Sequence, residues 1–105
     1  MQSKITINPS VAVELDIGSI SLEERVSIRF IADSEWTGEF ELLVYNSIAK
    51  NSVIKPNNSL TIVGQLMTLI IDPLAQELAD RVYYYEIIEK RSKRIIFKGN
   101  LKIIK

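Results

Sequence analysis

Residues 74–104 read LAQELADRVYYYEIIEKRSKRIIFKGNLKII, and this stretch decides the fold class. Apolar side chains recur at every second position in 82–90 and again in 95–104, on either side of the charged segment 91–94. A period of two residues is typical of a strand that buries one face. The sequence therefore predicts a β-hairpin whose buried face carries seven residues: Tyr83, Tyr85, Ile87, Ile95, Phe97, Leu101 and Ile103.

The rest of the chain repeats this alternation in short segments. Three of them lie at 11–17, 24–32 and 38–46, and two more flank Gly64-Gln65, which predicts a tight turn. Strands do not alternate with long helices, so a parallel sheet with crossover helices is not expected. Asp72 followed by Pro73 is a helix-start pattern, which predicts one short helix near 73–79.

These patterns predict an all-β fold. We expect a single domain over residues 1–105, an immunoglobulin-like antiparallel β-sandwich of seven to nine short strands. A small closed barrel is the alternative architecture. Segments 24–32 and 38–46 are expected to pair as a hairpin, because Arg25 and Arg29 on one would then face Glu39 and Glu41 on the other.

The composition excludes several classes of function. The 105 residues include 13 basic and 13 acidic side chains, no histidine and no cysteine. A net charge of zero gives no general attraction to nucleic acid or to anionic membranes. Without histidine and cysteine the chain lacks the usual general base, the thiol nucleophile and the commonest metal ligands. We therefore expect no enzyme activity, no catalytic residue, no metal and no cofactor, and neither nucleic acid nor a membrane as partner.

The start of the chain, MQSKITINPSV, lacks the apolar core of a signal peptide. Apolar runs elsewhere are far shorter than a membrane-spanning helix requires. We therefore expect the protein to be made and to stay soluble in the cytoplasm of its host cell.

Apolar residues on the faces opposite the expected core favour a protein–protein interface. They are Ile31, Leu43, Tyr45, Met67, Leu69, Ile71, Tyr84, Ile88 and Ile104. The loop after residue 32 contributes Trp36, which either is exposed for binding or closes one end of the sandwich. The hairpin tip contributes three cations, which either dock onto an acidic protein or form a solvated turn. The resulting interface candidates are Trp36, Leu43, Tyr45, Tyr84, Ile88, Arg91, Lys93 and Arg94.

An ordered series of short motifs runs through residues 24–105. EWTGEF at 35–40 is followed by LII at 69–71, LAQELA at 74–79, YYYEI at 83–87 and GNLKI at 99–103. In this order and spacing the motifs resemble a β-sandwich module of tailed-bacteriophage virion proteins. The module occurs in the N-terminal domain of baseplate upper proteins and in head-fibre and tail-fibre anchor domains.

The resemblance implies a non-enzymatic virion structural protein, assembled in the cytoplasm of the bacterial host, whose partners are other virion proteins of the capsid or tail. Because the chain ends just after the closing strand, we expect a small decoration, adaptor or fibre-base subunit that forms a homo-oligomer. The alternative is a carbohydrate-binding β-sandwich module for host-surface or mucosal glycans. In that case Trp36, Tyr45 and Tyr84 would stack on the sugar rings.

Overall fold

The computed structural model describes residues 2–7, 13–46, 52–56 and 59–105, with residues 2–7 described by their backbone. Strands but no helix occur within these ranges. The ten strands are β1 (Gln2–Ile7), β2 (Val13–Glu14), β3 (Gly18–Ser21), β4 (Val26–Ala32), β5 (Phe40–Tyr45), β6 (Val53–Ile54), β7 (Leu60–Val63), β8 (Leu66–Ile71), β9 (Val82–Glu89) and β10 (Ile95–Ile104).

The strands form two sheets around one shared core. The four-stranded sheet has the order β1-β4-β8-β7. The six-stranded sheet has the order β2-β10-β9-β5-β6, and β3 also pairs with β10. Phe30 on β4 stacks on Phe97 on β10 with ring centroids 4.1 Å apart, so the two sheets meet face to face. The prediction of an all-β sandwich is confirmed at this level.

Three strand pairs are parallel, which corrects the expectation of purely antiparallel sheets. β1 runs parallel to β4, and both β2 and β3 run parallel to β10. All three belong to the N-terminal part of the chain, which adds to the outer edge of each sheet in turn. Alternation of apolar residues has the same period in both kinds of pair, so the sequence pattern does not encode the direction of pairing.

The predicted hairpin between segments 24–32 and 38–46 does not form. Instead β4 pairs with β8, and β5 pairs with β9, so the two segments belong to different sheets. The connection between them is held by Trp36, whose backbone N–H donates to Gly64 O and whose indole N–H donates to Gln65 O, both at 3.0 Å. Opposite surface charges stabilise a strand pair by at most about 1 kcal/mol, less than burial of a single large apolar side chain.

The two predicted hairpins at the other turns are confirmed. β7 and β8 pair antiparallel across Gly64-Gln65, with Val63 opposite Leu66. β9 and β10 pair antiparallel from Ile88 opposite Ile95 to Val82 opposite Lys102. Both hairpins join neighbouring segments through short turns, where alternation and turn residues are the deciding signals.

A β-bulge in β10 changes which face some residues occupy. The register shifts between Ile95, opposite Ile88, and Phe97, opposite Ile87. As a result Ile96 and Phe97 are both buried, whereas Ile95 lies half-exposed on the outer face, contrary to prediction. One extra residue on one strand reverses the alternation beyond it, and nothing in the local pattern marks its position.

On β8 the core face is also opposite to the expected one. Met67, Leu69 and Ile71 are each fully buried, and the alternate positions point outward. This strand is apolar at nearly every position, so periodicity alone does not decide its inward face.

Residues 73–77 form a turn and residues 78–79 have no regular structure, in place of the helix predicted near 73–79. The backbone N–H of Leu78 donates to Pro73 O at 2.8 Å, a wider loop than an α-helical turn, and Glu77 is in the left-handed region with a φ of 60°. Leu78 is only 3% exposed, so the turn serves to place this side chain in the core. Seven residues are too few to offset the cost of starting a helix once another arrangement buries the leucine.

Candidate functional site

The outward side of β5, β6, β9 and β10 carries a cluster of apolar side chains. Cross-strand pairing places Tyr45 between Tyr84 and Val53, and it places Ile88 beside Ile95. Leu43 lies between these two rows, on the same side of β5 as Tyr45. We call these six residues the outer sheet face: Leu43, Tyr45, Val53, Tyr84, Ile88 and Ile95.

Burial on the outer sheet face is high for an outward-facing surface. Leu43 and Ile88 are 8% and 6% exposed, although they point away from the core. The two tyrosines and Ile95 are half-buried, and Val53 is 49% exposed. Neighbouring side chains therefore already pack together over the sheet, and among the described residues they form a continuous apolar surface.

A shallow groove of about 460 Å³ runs along this face, with charged residues at its rim. Glu41 and Lys93 lie near the end occupied by Ile88 and Ile95, and Lys55 lies beside Leu43 at the edge. Glu86 also contributes to the groove, but it is only 3% exposed, lying between Leu43 on β5 and Lys98 on β10. The surface thus has an apolar centre and a rim of both charge signs, which is the usual anatomy of a protein–protein interface.

The basic tip of the β9–β10 hairpin is organised by the carboxylate of Glu89. Its two oxygens accept hydrogen bonds from the backbone N–H groups of Arg91 (2.8 Å) and Ser92 (3.1 Å). These bonds, the Arg91 contact foremost, lower the pKa of Glu89 below its ordinary value. Lys93 takes a left-handed conformation with a φ of 61° and donates its N–H to Glu89 O at 2.9 Å. The exposed cations Arg91, Lys93 and Arg94 are therefore displayed on an ordered turn beside the groove.

Trp36 lies in the core instead of on the surface. It is 7% exposed, its ring contacts Phe40 edge-on at 5.5 Å, and it approaches Phe97 at 6.2 Å. Of the two interpretations offered by the sequence, this position agrees with a tryptophan that closes one end of the sandwich. A ring in this position is not available to a sugar or to a partner protein.

The structure brings together four of the interface candidates, Leu43, Tyr45, Tyr84 and Ile88, and places the basic tip beside them. Sequence reasoning missed Val53 and Ile95. The first lies in a two-residue strand too short to show alternation, and the second lies on the outer face because of the bulge. No local signal in the sequence could have placed either side chain on this face.

Within the described ranges there is no group of three or more acidic side chains placed to hold a metal ion. The part of the chain that the structure describes also contains no helix long and apolar enough to cross a membrane. No protein-family model matches this sequence, and no curated protein matches it either. The candidate functional site of this protein is therefore the outer sheet face together with the basic tip.

Proposed function

We propose that this protein is a non-enzymatic structural subunit of a bacteriophage virion, a small decoration, adaptor or fibre-base protein that docks onto capsid or tail proteins. The observation that carries the proposal is the outer sheet face, where Leu43 and Ile88 pack with two half-buried tyrosines on the outward side of the sheet. Tyrosine is enriched in protein interfaces, and contiguous apolar patches on small proteins usually mark interaction sites. The resemblance of residues 24–105 to phage virion modules supports the choice of assembly.

We further infer that the sandwich is immunoglobulin-like. The order β1-β4-β8-β7 corresponds to A-B-E-D, and β10-β9-β5-β6 corresponds to G-F-C-C′ of a variable-type domain. Tyr83 near the start of β9 supports this assignment, because its hydroxyl accepts a hydrogen bond at 2.8 Å from the N–H of Ala79, four residues upstream. That arrangement is the tyrosine corner of immunoglobulin-like folds. The parallel pairing of β1 with β4 departs from the usual pattern.

Docking would combine burial of the outer sheet face with attraction from the basic tip. Burying the exposed part of Val53 and the tyrosine rings removes apolar surface from water. Arg91 and Lys93, held on an ordered turn, would favour a partner whose adjoining surface is acidic and would orient its approach. Strands at the sheet edges, such as β7, offer further backbone donors and acceptors for pairing.

The carbohydrate-binding alternative has less support. Trp36, the strongest candidate for stacking on a sugar, is in the core. Tyr45 and Tyr84 remain on the surface, but their rings are adjacent, 6.3 Å apart and tilted by 36°, so they do not form one flat platform. A glycan array decides between the two functions: binding that is lost in Tyr45→Ala and in Tyr84→Ala would favour the sugar-binding module over assembly.

The direct test is co-sedimentation of the purified protein with phage particles that lack this protein. The particles are prepared from the phage whose genome encodes it. We expect the wild-type chain to sediment with the particles and a Tyr45→Ser/Tyr84→Ser variant to bind at least about ten-fold more weakly, since aromatic anchors dominate interface energies. Leu74→Ser is the matched control, because Leu74 is 62% exposed on the turn after β8 and should leave binding unchanged. Failure of the wild-type chain to sediment with the particles would refute the proposal.

A further inference from the structure

The charges around the outer sheet face are complementary to each other across β9. β5 lies on one side of β9 and β10 on the other. On the β5 side the rim carries Glu41 and, one strand further out, Lys55. On the β10 side the groove is lined by Lys93, and one strand further out, beyond the groove, lies Glu14, the cross-strand neighbour of Lys98. The order of signs on one side is thus the reverse of the order on the other.

We propose that the occupant of the outer sheet face is a second copy of this chain, related by a two-fold axis that runs parallel to β9 over Tyr84 and Ile88. This inference rests on the proposed function and names the protein that covers this face, a neighbouring copy of the same subunit. Contact with other capsid or tail proteins then falls to the edge strands, such as β7, and to Arg91 and Arg94 of the tip. A two-fold rotation about that axis exchanges the β5 side of one copy with the β10 side of the other. Self-complementary surfaces of this kind produce closed, symmetric dimers.

The rotation brings opposite charges together at both rim positions, the one next to β9 and the one a strand further out. Glu41 lies beside Ile88 on the β5 side, and Ile95 lies beside Ile88 on the β10 side. Lys93 precedes Ile95 by two residues and lines the same groove, so each Glu41 would reach Lys93 of the other copy past Ile95. Further out, Lys55 would approach Glu14, and both side chains are exposed. Each dimer would therefore contain two copies of each ion pair.

The centre of the face is compatible with the same rotation. Tyr84 and Ile88 lie on β9 itself, so each would contact its own counterpart in the partner copy. Leu43 on the β5 side would meet Lys98 on the β10 side, where the aliphatic part of a lysine can cover an apolar side chain. Each Glu86 has Lys98 of its own chain as its cross-strand neighbour on β10.

The size of the face is sufficient for a stable dimer. In the six-stranded sheet five strands lie side by side at a spacing of about 4.8 Å, and the longest, β10, has ten residues at about 3.3 Å each. That corresponds to roughly 800 Å² of face, similar to the area of about 800 Å² per partner in a standard-size interface. Most of the face, including all six apolar residues, would have to be covered.

The test uses sedimentation velocity on the full-length chain at about 0.15 M salt, where the Debye length is about 8 Å. The wild-type protein should sediment at twice the monomer mass of 12.0 kDa. Glu41→Lys and Lys93→Glu each create like-charge contacts in a symmetric dimer, so each variant alone should dimerise at least about ten-fold more weakly. Glu23→Lys, the same change of charge at an exposed site on the turn after β3, is the matched control and should dimerise like the wild type.

Mixing the two variants separates contacts between chains from contacts within one chain. A heterodimer of Glu41→Lys with Lys93→Glu pairs opposite charges at both contacts, so an equimolar mixture should recover dimers. No recovery on mixing, or a wild-type dimer insensitive to both substitutions, would overturn the inference. A monomeric wild-type chain that still sediments with phage particles would overturn this dimer and leave the proposed function standing.

Discussion

At the scale of single residues, the hydroxyl of Tyr85 links two distant parts of the chain. Tyr85 is fully buried, and its hydroxyl donates a hydrogen bond to Leu15 O, in the segment between β2 and β3. The same carbonyl lies against Gly99, where an added β-carbon would overlap it. Glycine at position 99 is thus required by the close approach of the segment 15–17, and Tyr85 satisfies the carbonyl that this approach buries.

Tyr85→Phe should lower the free energy of unfolding by about 1–3 kcal/mol, because it removes the hydrogen bond from the buried Tyr85 hydroxyl to the part-buried Leu15 carbonyl. Urea denaturation monitored by circular dichroism measures the change. Thr61→Val removes an exposed hydroxyl from β7 and serves as the control, with an expected change within about 0.5 kcal/mol. Equal effects of the two substitutions would show that the Tyr85 hydrogen bond contributes nothing.

The same side chain also predicts a response to alkaline pH. Burial, followed by the negative charge of Asp16, raises the pKa of Tyr85 above its ordinary value. The folded chain then keeps a proton that the unfolded chain loses above about pH 10, so this stabilisation is complete below pH 10 and declines as the pH rises. Between pH 10 and 11.5 the wild type should lose stability more steeply than Tyr85→Phe, and parallel curves would contradict the assignment.

At the scale of elements, the β9–β10 tip depends on the ionised carboxylate of Glu89. The pKa of Glu89 is lowered by its hydrogen bonds to the backbone of Arg91 and Ser92, so the unfolded chain takes up a proton first as the pH falls. The stabilisation is present above the unfolded value near 4.3 and is lost as the pH falls through the folded value. The tip should therefore loosen in acid before the sheets do.

Amide hydrogen exchange at Arg91 and Ser92 checks this expectation. In the wild type, protection of both amides, corrected for the intrinsic pH dependence, should fall below about pH 4. In Glu89→Gln the protection of these two amides should be weaker at neutral pH and independent of pH in the acid range. Glu39→Gln, in the facing loop, is the control and should behave like the wild type. A pH response that persists in Glu89→Gln would assign the effect to another group.

At the scale of the whole molecule, dimerisation through the outer sheet face would couple stability to concentration. Binding to the folded state alone adds about 2.7 kcal/mol when the partner is at a hundred times its dissociation constant. For a domain of about 100 residues this raises Tm by about 10 °C or more. Thermal unfolding of the wild type at increasing concentration should show this rise, and Glu41→Lys should show a much smaller one over the same range. A wild-type Tm that does not change with concentration would argue against the dimer.

Much of the outer sheet face follows from the sequence, and the remainder does not. Leu43, Tyr45, Tyr84 and Ile88 were expected to point outward because alternation assigns a face to every residue of a regular strand. Val53 and Ile95 joined them only in the folded chain, one through a two-residue strand and the other through a bulge. Neither feature has a local period, so no pattern in the sequence could place those side chains.

By itself the sequence determined the local features of this protein: the all-β class, the hairpin 82–104, the turn at Gly64-Gln65, and the inward direction of Tyr83 and Tyr85 with Tyr84 outward. These depend on the spacing of residues close together in the chain. Only the tertiary structure decided the strand partners, the parallel edges and the turn at 73–77. Those depend on which distant segments bury apolar surface together, and alternation is the same whichever partner a strand takes.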